Sequence, residues 1–379
     1  MKITIVLNTS WNLYNFRLGL IDALSQQGHT VILIAPEDEY SDKLRTLGYQ
    51  LVTVGMDRRG INPLRDIAYL LELYNIYRSI RPDYTLHFTV KPNIYGTLAA
   101  SLLGIKSINT VSGLGTVFLK KGLVSWVAQL LYRSTFHLPQ KVFFHNQDDY
   151  QLFIDRKLMS PGKAAVVPGS GVNVQRFSPS EVEDTEEFTF LVIARLLYDK
   201  GIVEYAEAAR SLKAQGINAR FQLLGARDPQ HQRGISDAEV DAWIEEQIVD
   251  YLGTTDDVRP YIQQADAVVL PSYREGLPRT LLEAASLEKP IVATDTPGCR
   301  HVVHDGKNGR LCRVGDAADL ADKMYQIMNM SRQQRQAMGQ KGRAMITERF
   351  SEEYVVARYL LAIERTEPEG ILTLPMASS

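Results

Sequence analysis

The chain has 379 residues, long for one hydrophobic core and sufficient for two domains. Its 42 Lys and Arg against 44 Asp and Glu leave a formal net charge of -2, so no global charge recruits nucleic acid. Two cysteines, Cys299 and Cys312, provide neither a zinc site nor the framework of a small secreted domain, and a reducing cytosol is the expected home.

The first residues form an apolar run too short for a signal peptide and read as a strand. Strands are predicted at 3–7, 30–35, 51–54, 84–89, 107–111 and 141–145, with helices at 13–27, closed by Gly28, and at 63–80, closed before Arg81-Pro82. This alternation predicts a parallel sheet covered by helices, whose ligands sit at the carboxyl ends of the strands. Those ends are polar or glycine-rich here: Asn8 to Arg17, His87 to Asn93, and Ser112-Gly113-Leu114-Gly115, where backbone amides can approach a ligand. Read alone, the last is also an ordinary turn.

No uninterrupted apolar run of roughly 18 residues occurs, so no bilayer-spanning helix is predicted. The nearest approach, 117–138, is interrupted by Lys120, Lys121, Arg133 and His137. Leu123, Val124, Trp126, Val127, Leu130, Leu131 and Phe136 approximate one wide helical face. It suits either an amphipathic surface helix or a helix resting in the lipid interface, where basic flanks and a Trp meet anionic headgroups.

A strand and glycine loop at 166–173 precede an acidic, Pro-containing linker at 178–187. A second alternating series follows, with strands at 189–194, 219–224, 266–270 and 291–293 and helices at 201–214 and 279–286. A long mobile loop is expected at 226–234, before a helix capped at Ser236 or Asp237. The chain closes with an amphipathic helix at 351–364 and a loose tail.

The chemistry concentrates in the second half. Ser272-Tyr273-Arg274-Glu275-Gly276-Leu277-Pro278-Arg279-Thr280-Leu281-Leu282-Glu283-Ala284 follows the buried run Ala267-Val268-Val269-Leu270, so two carboxylates bracket a strand-to-helix junction. The helix dipole accounts for an acid at Glu275 but not for Glu283, which lies well inside the helix. Arg195 and Lys200, five positions apart before the helix at 201–214, suit a diphosphate; a surface Arg, and a Lys paired with Asp199, would be the plain reading.

The two glutamates with seven residues between them, together with Arg195, Lys200-Gly201, Leu270-Pro271-Ser272, Pro290 to Asp295, Gly298 and Asp305-Gly306-Lys307-Asn308-Gly309, resemble the donor site of retaining glycosyltransferases of family four. The resemblance covers nearly the whole chain. It implies an α/β GT-B fold, two Rossmann-like parallel-sheet domains facing across a cleft. The acceptor-binding domain is expected at 1–177, the nucleotide-sugar domain at 188–350, a helix crossing back to the first domain at 351–365 and a tail at 366–379.

By the same resemblance, Glu283 would hold the ribose hydroxyls and Glu275 the transferred sugar. Gly276 and Leu277 would offer amides to the phosphates, and Arg195 and Lys200 would oppose charge on the leaving diphosphate. Glu275, Arg195 and Lys200 are the expected catalytic residues, with Arg274, Gly113, Leu114 and Gly115 completing the donor site. No cofactor is expected, and the lack of any Asp-x-Asp sequence fits metal-independent transfer. The family implies front-face displacement rather than Glu275 as a nucleophile. Many members carry a histidine in the loop after the fifth strand; here Ser112 to Gly115 stands in its place.

Lys91 to Gly96, the Gly113 loop, Tyr273 to Arg279 and Pro297-Gly298-Cys299-Arg300 resemble bacterial enzymes that use UDP-hexoses or UDP-N-acetylhexosamines to build lipid-linked repeat units. The implied acceptor is an undecaprenyl-diphosphate-linked glycan at the cytoplasmic membrane face. Arg17, Lys91 and Arg279 are candidates for its pyrophosphate, and Asn12 and His87 for further acceptor contacts, although a lone histidine also reads as structural. A UDP-sugar epimerase of the same fold and a non-catalytic nucleotide-sugar-binding subunit are the alternatives. The first lacks the paired glutamates; the second would have lost Glu275, Arg195 or Lys200.

Overall fold

The computed structural model describes residues 1–57, 62–114, 123–180 and 187–364. They group into two units, Met1–Ser170 with the chain from Glu352 onward, and Gly171–Ser351.

The first unit holds β1 (Lys2–Val6), β2 (Thr30–Ala35), β3 (Gln50–Thr53), β4 (Tyr84–Phe88), β5 (Lys106–Val111), β6 (Lys141–Phe144) and β7 (Ala164–Val166). They form one parallel sheet in the order β3-β2-β1-β4-β5-β6-β7. Its central strands are buried on both faces because helices cover both. On one side Ile3, Ile5, Leu7, Leu86 and Phe88 pack with Leu20 and Leu24 and with Val355, Tyr359 and Ile363 of the C-terminal helix Glu352–Glu364. The Tyr359 and Thr110 hydroxyls, 2.8 Å apart, add a buried polar tie. On the other side Val6 and Ile34 meet Tyr69, Leu73 and Tyr77 of helix Pro63–Ile80. That helix begins where Asn62 accepts the amides of Leu64 and Arg65, and ends at Arg81 in a left-handed conformation before Pro82.

Two local features depart from the sequence pattern. The helix expected at 13–27 is two helices, Ser10–Phe16 and Leu18–Gln26, broken at Arg17. The break accompanies burial of the Arg17 guanidinium 4.1 Å over the Phe88 ring, a cation–π contact invisible to helical periodicity. After β4 the chain forms a π-helical turn, Pro92–Gly96, rather than a loop.

The second unit holds β8 (Phe188–Ile193), β9 (Ala219–Leu224), β10 (Asp250–Tyr251), β11 (Ala267–Leu270), β12 (Ile291–Thr294) and β13 (Gly309–Cys312), parallel in the order β10-β9-β8-β11-β12-β13. Val172, Val174 and Phe177, ahead of the expected linker, pack with Leu281, Leu282 and Leu287 and so belong to this unit's core. The segment 226–234 is not a free loop. Its ends are tied to the strand extension beyond β8: Leu196 N–H donates to Ala226 O at 3.0 Å, Tyr198 N–H to Arg233 O at 3.0 Å, and Ile235 N–H to Leu196 O at 3.1 Å. Helix Asp237–Glu245 then starts with a reciprocal Ser236–Glu239 capping box.

Candidate active site

The second sheet delivers two loops side by side. Strand β11 ends at Leu270-Pro271-Ser272, and the extended Pro278 starts helix Arg279–Ser286. Neighbouring β8 leads to a 3-10 turn, Tyr198–Lys200, and then through left-handed Gly201 (φ 70°) into helix Ile202–Ala214. A Cβ at Gly201 would lie 2.0 Å from the Pro271 carbonyl oxygen, so a bare α-carbon is what lets the loops touch. The Tyr273 N–H donates to the Asp199 carbonyl at 3.0 Å, fixing their register.

The consequence is an ion pair. Lys200 Nζ lies 2.5 Å from Glu275 Oε1, the two side chains only 25% and 13% exposed. The plain sequence reading of Lys200, a pair with Asp199, is therefore not what forms; Asp199 instead takes Arg233 Nε at 3.0 Å. A third loop closes on the same place, because a Cβ at left-handed Gly298 would stand 2.6 Å from Gly276 O and 2.7 Å from Glu275 O. The Thr294 hydroxyl holds the Ser272 carbonyl from behind.

Glu283 faces a different neighbour. Arg279, one turn earlier, donates from Nε to Glu283 Oε1 at 2.8 Å, both side chains largely buried. Burial pushes the Glu283 carboxyl above its ordinary range, against the opposing pull of the Arg279 charge. Arg279, expected at an acceptor pyrophosphate, is thus committed to Glu283. Arg195 is the outlying member: its guanidinium is 56% exposed and reaches Asp228 at 4.0 Å. Leu277 packs its side chain on the unit's core, which anchors the loop carrying Arg274, Glu275 and Gly276. Burial, reinforced by the Glu275 charge, pushes the Cys299 thiol up to about 12, leaving it unreactive.

Sequence reading missed Tyr273 and its partner: the phenol donates to Glu204 Oε1 at 2.5 Å and braces the donor loop against helix Ile202–Ala214. Tyr273 lay inside the recognised run, but no spacing rule links it to Glu204.

In the first unit the expected residues divide. His87 is corrected from an acceptor contact to a structural residue: it is fully buried and bonded to Tyr77 at 2.8 Å, Thr85 at 3.1 Å and Asn109 at 3.0 Å. Burial holds its imidazole down at about 4, and Gly96 packs so closely that a Cβ would lie 2.6 Å from His87 Nε2. Lys91 is paired with Asp66 at 2.5 Å, and the same carboxylate takes the Tyr95 hydroxyl at 3.0 Å. Arg17 is buried against Phe88. Asn12 lies on helix Ser10–Phe16, its side-chain oxygen buried without a hydrogen-bond partner among the described residues. Gly113 takes φ 146°, a conformation that favours glycine, while Leu114 is buried with Ile94 and Tyr132. Gly115, Lys120 and Lys121 lie outside the described residues.

Helix Leu123–Thr135 buries Tyr132 in the core but leaves Trp126 61%, Val127 40% and Leu130 51% exposed. No helix among the described residues is long and apolar enough to cross a membrane.

A doubly wound sheet with an ion-paired Lys–Glu loop and a buried Glu on the following helix, joined in one chain to a second doubly wound sheet, is the construction of a GT-B glycosyltransferase. Residues 173–345 match the family Glycosyl transferases group 1, and residues 2–146 match Glycosyl transferase 4-like; the chain belongs to these glycosyltransferases. It is 29% identical over 382 residues to N,N'-diacetylbacillosaminyl-diphospho-undecaprenol alpha-1,3-N-acetylgalactosaminyltransferase of Campylobacter jejuni, covering 96% of this chain and 99% of that protein. It is 23% identical to UDP-Gal:alpha-D-GlcNAc-diphosphoundecaprenol alpha-1,3-galactosyltransferase of Escherichia coli, covering 71% and 72%. The fold is similar to that of a Rickettsia africae glycosyltransferase, with TM-score 0.79 and 17% identity over 97% of this chain and 99% of that one.

Proposed function

We propose that the protein moves a hexose or N-acetylhexosamine from a UDP-sugar, with retained anomeric configuration, onto a glycan carried by undecaprenyl diphosphate. The observation that carries the reading is the Lys200–Glu275 pair, which sets a cation and a hydroxyl-binding carboxylate side by side at the ends of β8 and β11. A sugar diphosphate presents these two chemistries in sequence, anionic phosphate and neutral ring. Glu283, one helix step beyond, supplies oxygens for both ribose hydroxyls.

In this reading Lys200 and Arg195 oppose the charge that grows on the departing diphosphate, while the Gly276 and Leu277 amides hold its oxygens. The bond from the anomeric carbon to UDP breaks as the bond to the acceptor oxygen forms on the same face. The acceptor proton passes to the departing phosphate oxygen. Glu275 positions the transferred sugar and makes no covalent bond. The first unit binds the acceptor, with Asn12 and Arg17 as its contacts, and works at the inner face of the cytoplasmic membrane through Trp126, Val127 and Leu130. The named relatives, which act on undecaprenyl-diphosphate-linked sugars, support this substrate class.

The test is a panel of UDP-sugars incubated with membrane lipid extract and scored for UDP release and labelled lipid. UDP release only when both substrates are present is the expected result. Conversion of a UDP-sugar without acceptor would favour the epimerase, and no turnover of any donor with any lipid would defeat the reading.

A further inference from the structure

We propose that His145 is a sugar-binding residue, its Nε2 accepting a hydrogen bond from a sugar hydroxyl at the carboxyl edge of the first sheet. The inference deepens the transfer reading and rests on it for the class of ligand. Strand register places the residue. Val6 pairs with His87 and His87 with Asn109, while Val111 pairs with Phe144, so β1, β4, β5 and β6 end at one edge. Asn8 and Thr89 stand in the row of Val111 and Phe144, and Ser112 and His145 follow one row on, with His145 N–H bonded to Val111 O at 3.2 Å. The neighbours β1 and β4 flank the point where the strand order reverses, the usual ligand position of a doubly wound sheet.

Buried polar atoms without a hydrogen-bond partner among the described residues gather at this edge: Asn8 Oδ1, Asn12 Oδ1, Thr89 Oγ1 and His145 Nε2. Folded chains seldom leave such atoms unmatched, and His145 is itself only 6% exposed. Thr89 is held at φ 69°, a strained conformation for a residue with a side chain and one that collects at binding sites.

The chemistry of the set selects the ligand. The other ring nitrogen of His145 is bonded to the Ser112 backbone, and burial with the nearby Arg17 charge holds the imidazole down at about 3. The ring is neutral and Nε2 carries a lone pair. Two amide oxygens and one imidazole nitrogen are acceptors, and Thr89 can be either. They call for a ligand rich in donors, which a sugar is and a diphosphate is not. The hydroxyl can come from the transferred sugar or from the acceptor glycan, and the experiment separates the two.

Full-length protein with 15N-labelled histidine is titrated with UDP, with UDP-sugars, and with methyl glycosides in the presence of saturating UDP. The His145 Nε2 resonance is identified by its loss in H145Q. It should move in the direction of hydrogen-bond acceptance with a UDP-sugar or with a glycoside, and stay in place with UDP. A response to UDP-sugar assigns the hydroxyl to the donor, and a response to glycoside assigns it to the acceptor. No movement with either overturns the proposal, as does the same movement with UDP alone. In kinetics H145F should raise the KM for the responding substrate about tenfold, the loss of one good hydrogen bond. H145Q should recover part of it, with UDP affinity unchanged in both; a wild-type KM in H145F overturns the proposal. If H145F fails to fold, the wild-type resonance and H145Q still decide. An enzyme that turns over no lipid acceptor defeats the transfer reading while the resonance still reports on His145.

Discussion

Lys200 and Glu275 come from loops after different strands and meet at 2.5 Å because Gly201 lets its loop lie against Pro271. Each side chain is partly withdrawn from water, so each depends on the other for charge balance. Glu275→Gln keeps the shape and removes the charge. It should lower kcat by about 100-fold or more, as loss of a transition-state contact does, while UDP affinity stays within about threefold of wild type. Lys200→Met should lower both kcat and UDP affinity. Steady-state kinetics with calorimetric UDP binding distinguish them, and equal losses of UDP affinity would undo the division of roles.

Glu283 and Arg279 form the second pair, and here the prediction concerns pH. Burial raises the Glu283 carboxyl and Arg279 opposes the rise, so removing the guanidinium in Arg279→Ala should raise it further. A protonated Glu283 keeps fewer lone pairs for two ribose hydroxyls. UDP affinity should therefore weaken as pH falls through the raised value, and do so at higher pH in Arg279→Ala. Calorimetry over a pH series reaching well above the ordinary carboxylate range follows the change. Affinity independent of pH in both proteins would remove Glu283 from the ribose.

The opening of the donor helix was legible because its signals are local. Four apolar β-branched or aliphatic residues, a Pro and a short polar loop fix β11 and helix Arg279–Ser286 without help from the rest of the chain. What escaped was set by distant contact. Arg17 interrupts a helix whose pattern runs straight through it, because Phe88 offers its ring. Strand β13, Gly309–Cys312, has an arginine inside and no alternation, and it pairs only because β12 lies beside it. The segment 226–234 has the composition of a mobile loop, yet its backbone finds partners at Leu196 and Tyr198. His145 closes the strand expected at 141–145 but lies one residue beyond β6 as it forms, and nothing in the surrounding sequence marks an unmatched nitrogen.

Gly298 is a steric requirement of the donor loop. At φ 86°, with backbone oxygens of Glu275 and Gly276 within 2.7 Å of any Cβ, it cannot accept a side chain without movement of the loop. Gly298→Ala should cost about 2 kcal/mol of unfolding free energy in urea, and more in UDP affinity than in stability, because the displaced backbone is the expected phosphate contact. Wild-type UDP affinity in this variant would show that the Gly276 amide does not touch the donor.

Trp126, Val127 and Leu130 occupy the outer face of helix Leu123–Thr135, whose inner face packs Tyr132, with Phe136 just past the helix end, against Phe153. Trp126→Ser with Leu130→Ser should leave the core and UDP binding unchanged. The double variant should lower the partition coefficient onto anionic vesicles, read by sedimentation, by about 100-fold, since each large apolar side chain moved from water contributes about 1.5 kcal/mol or more. Neutralising Lys120 and Lys121 should weaken the same binding and make it less sensitive to salt. Unchanged vesicle binding in both variants would remove the helix from the membrane surface.

His87 and His145 make global stability depend on pH in a range where few carboxylates act. Burial holds their folded values at about 4 and about 3, below the ordinary 6.5, so the unfolded chain takes up protons that the folded chain refuses. Their contribution is complete above about pH 6.5 and is lost as pH falls toward the folded values, at up to about 1.4 kcal/mol per pH unit for each. Glu283, raised by burial, opposes this, because its folded form holds a proton that its unfolded form releases above 4.5. Glu37, held down at about 2 by Arg45, contributes only at lower pH. His304 is held below its ordinary value as well, by desolvation and the Lys307 charge, and the histidines together outweigh one glutamate, so urea unfolding should report falling stability between about pH 7 and about pH 5. H145Q should remove a share of the histidine slope about equal to that of His87. A slope identical to wild type in that variant would mean that His145 carries a proton in the folded chain, and its Nε2 could then no longer accept a hydroxyl.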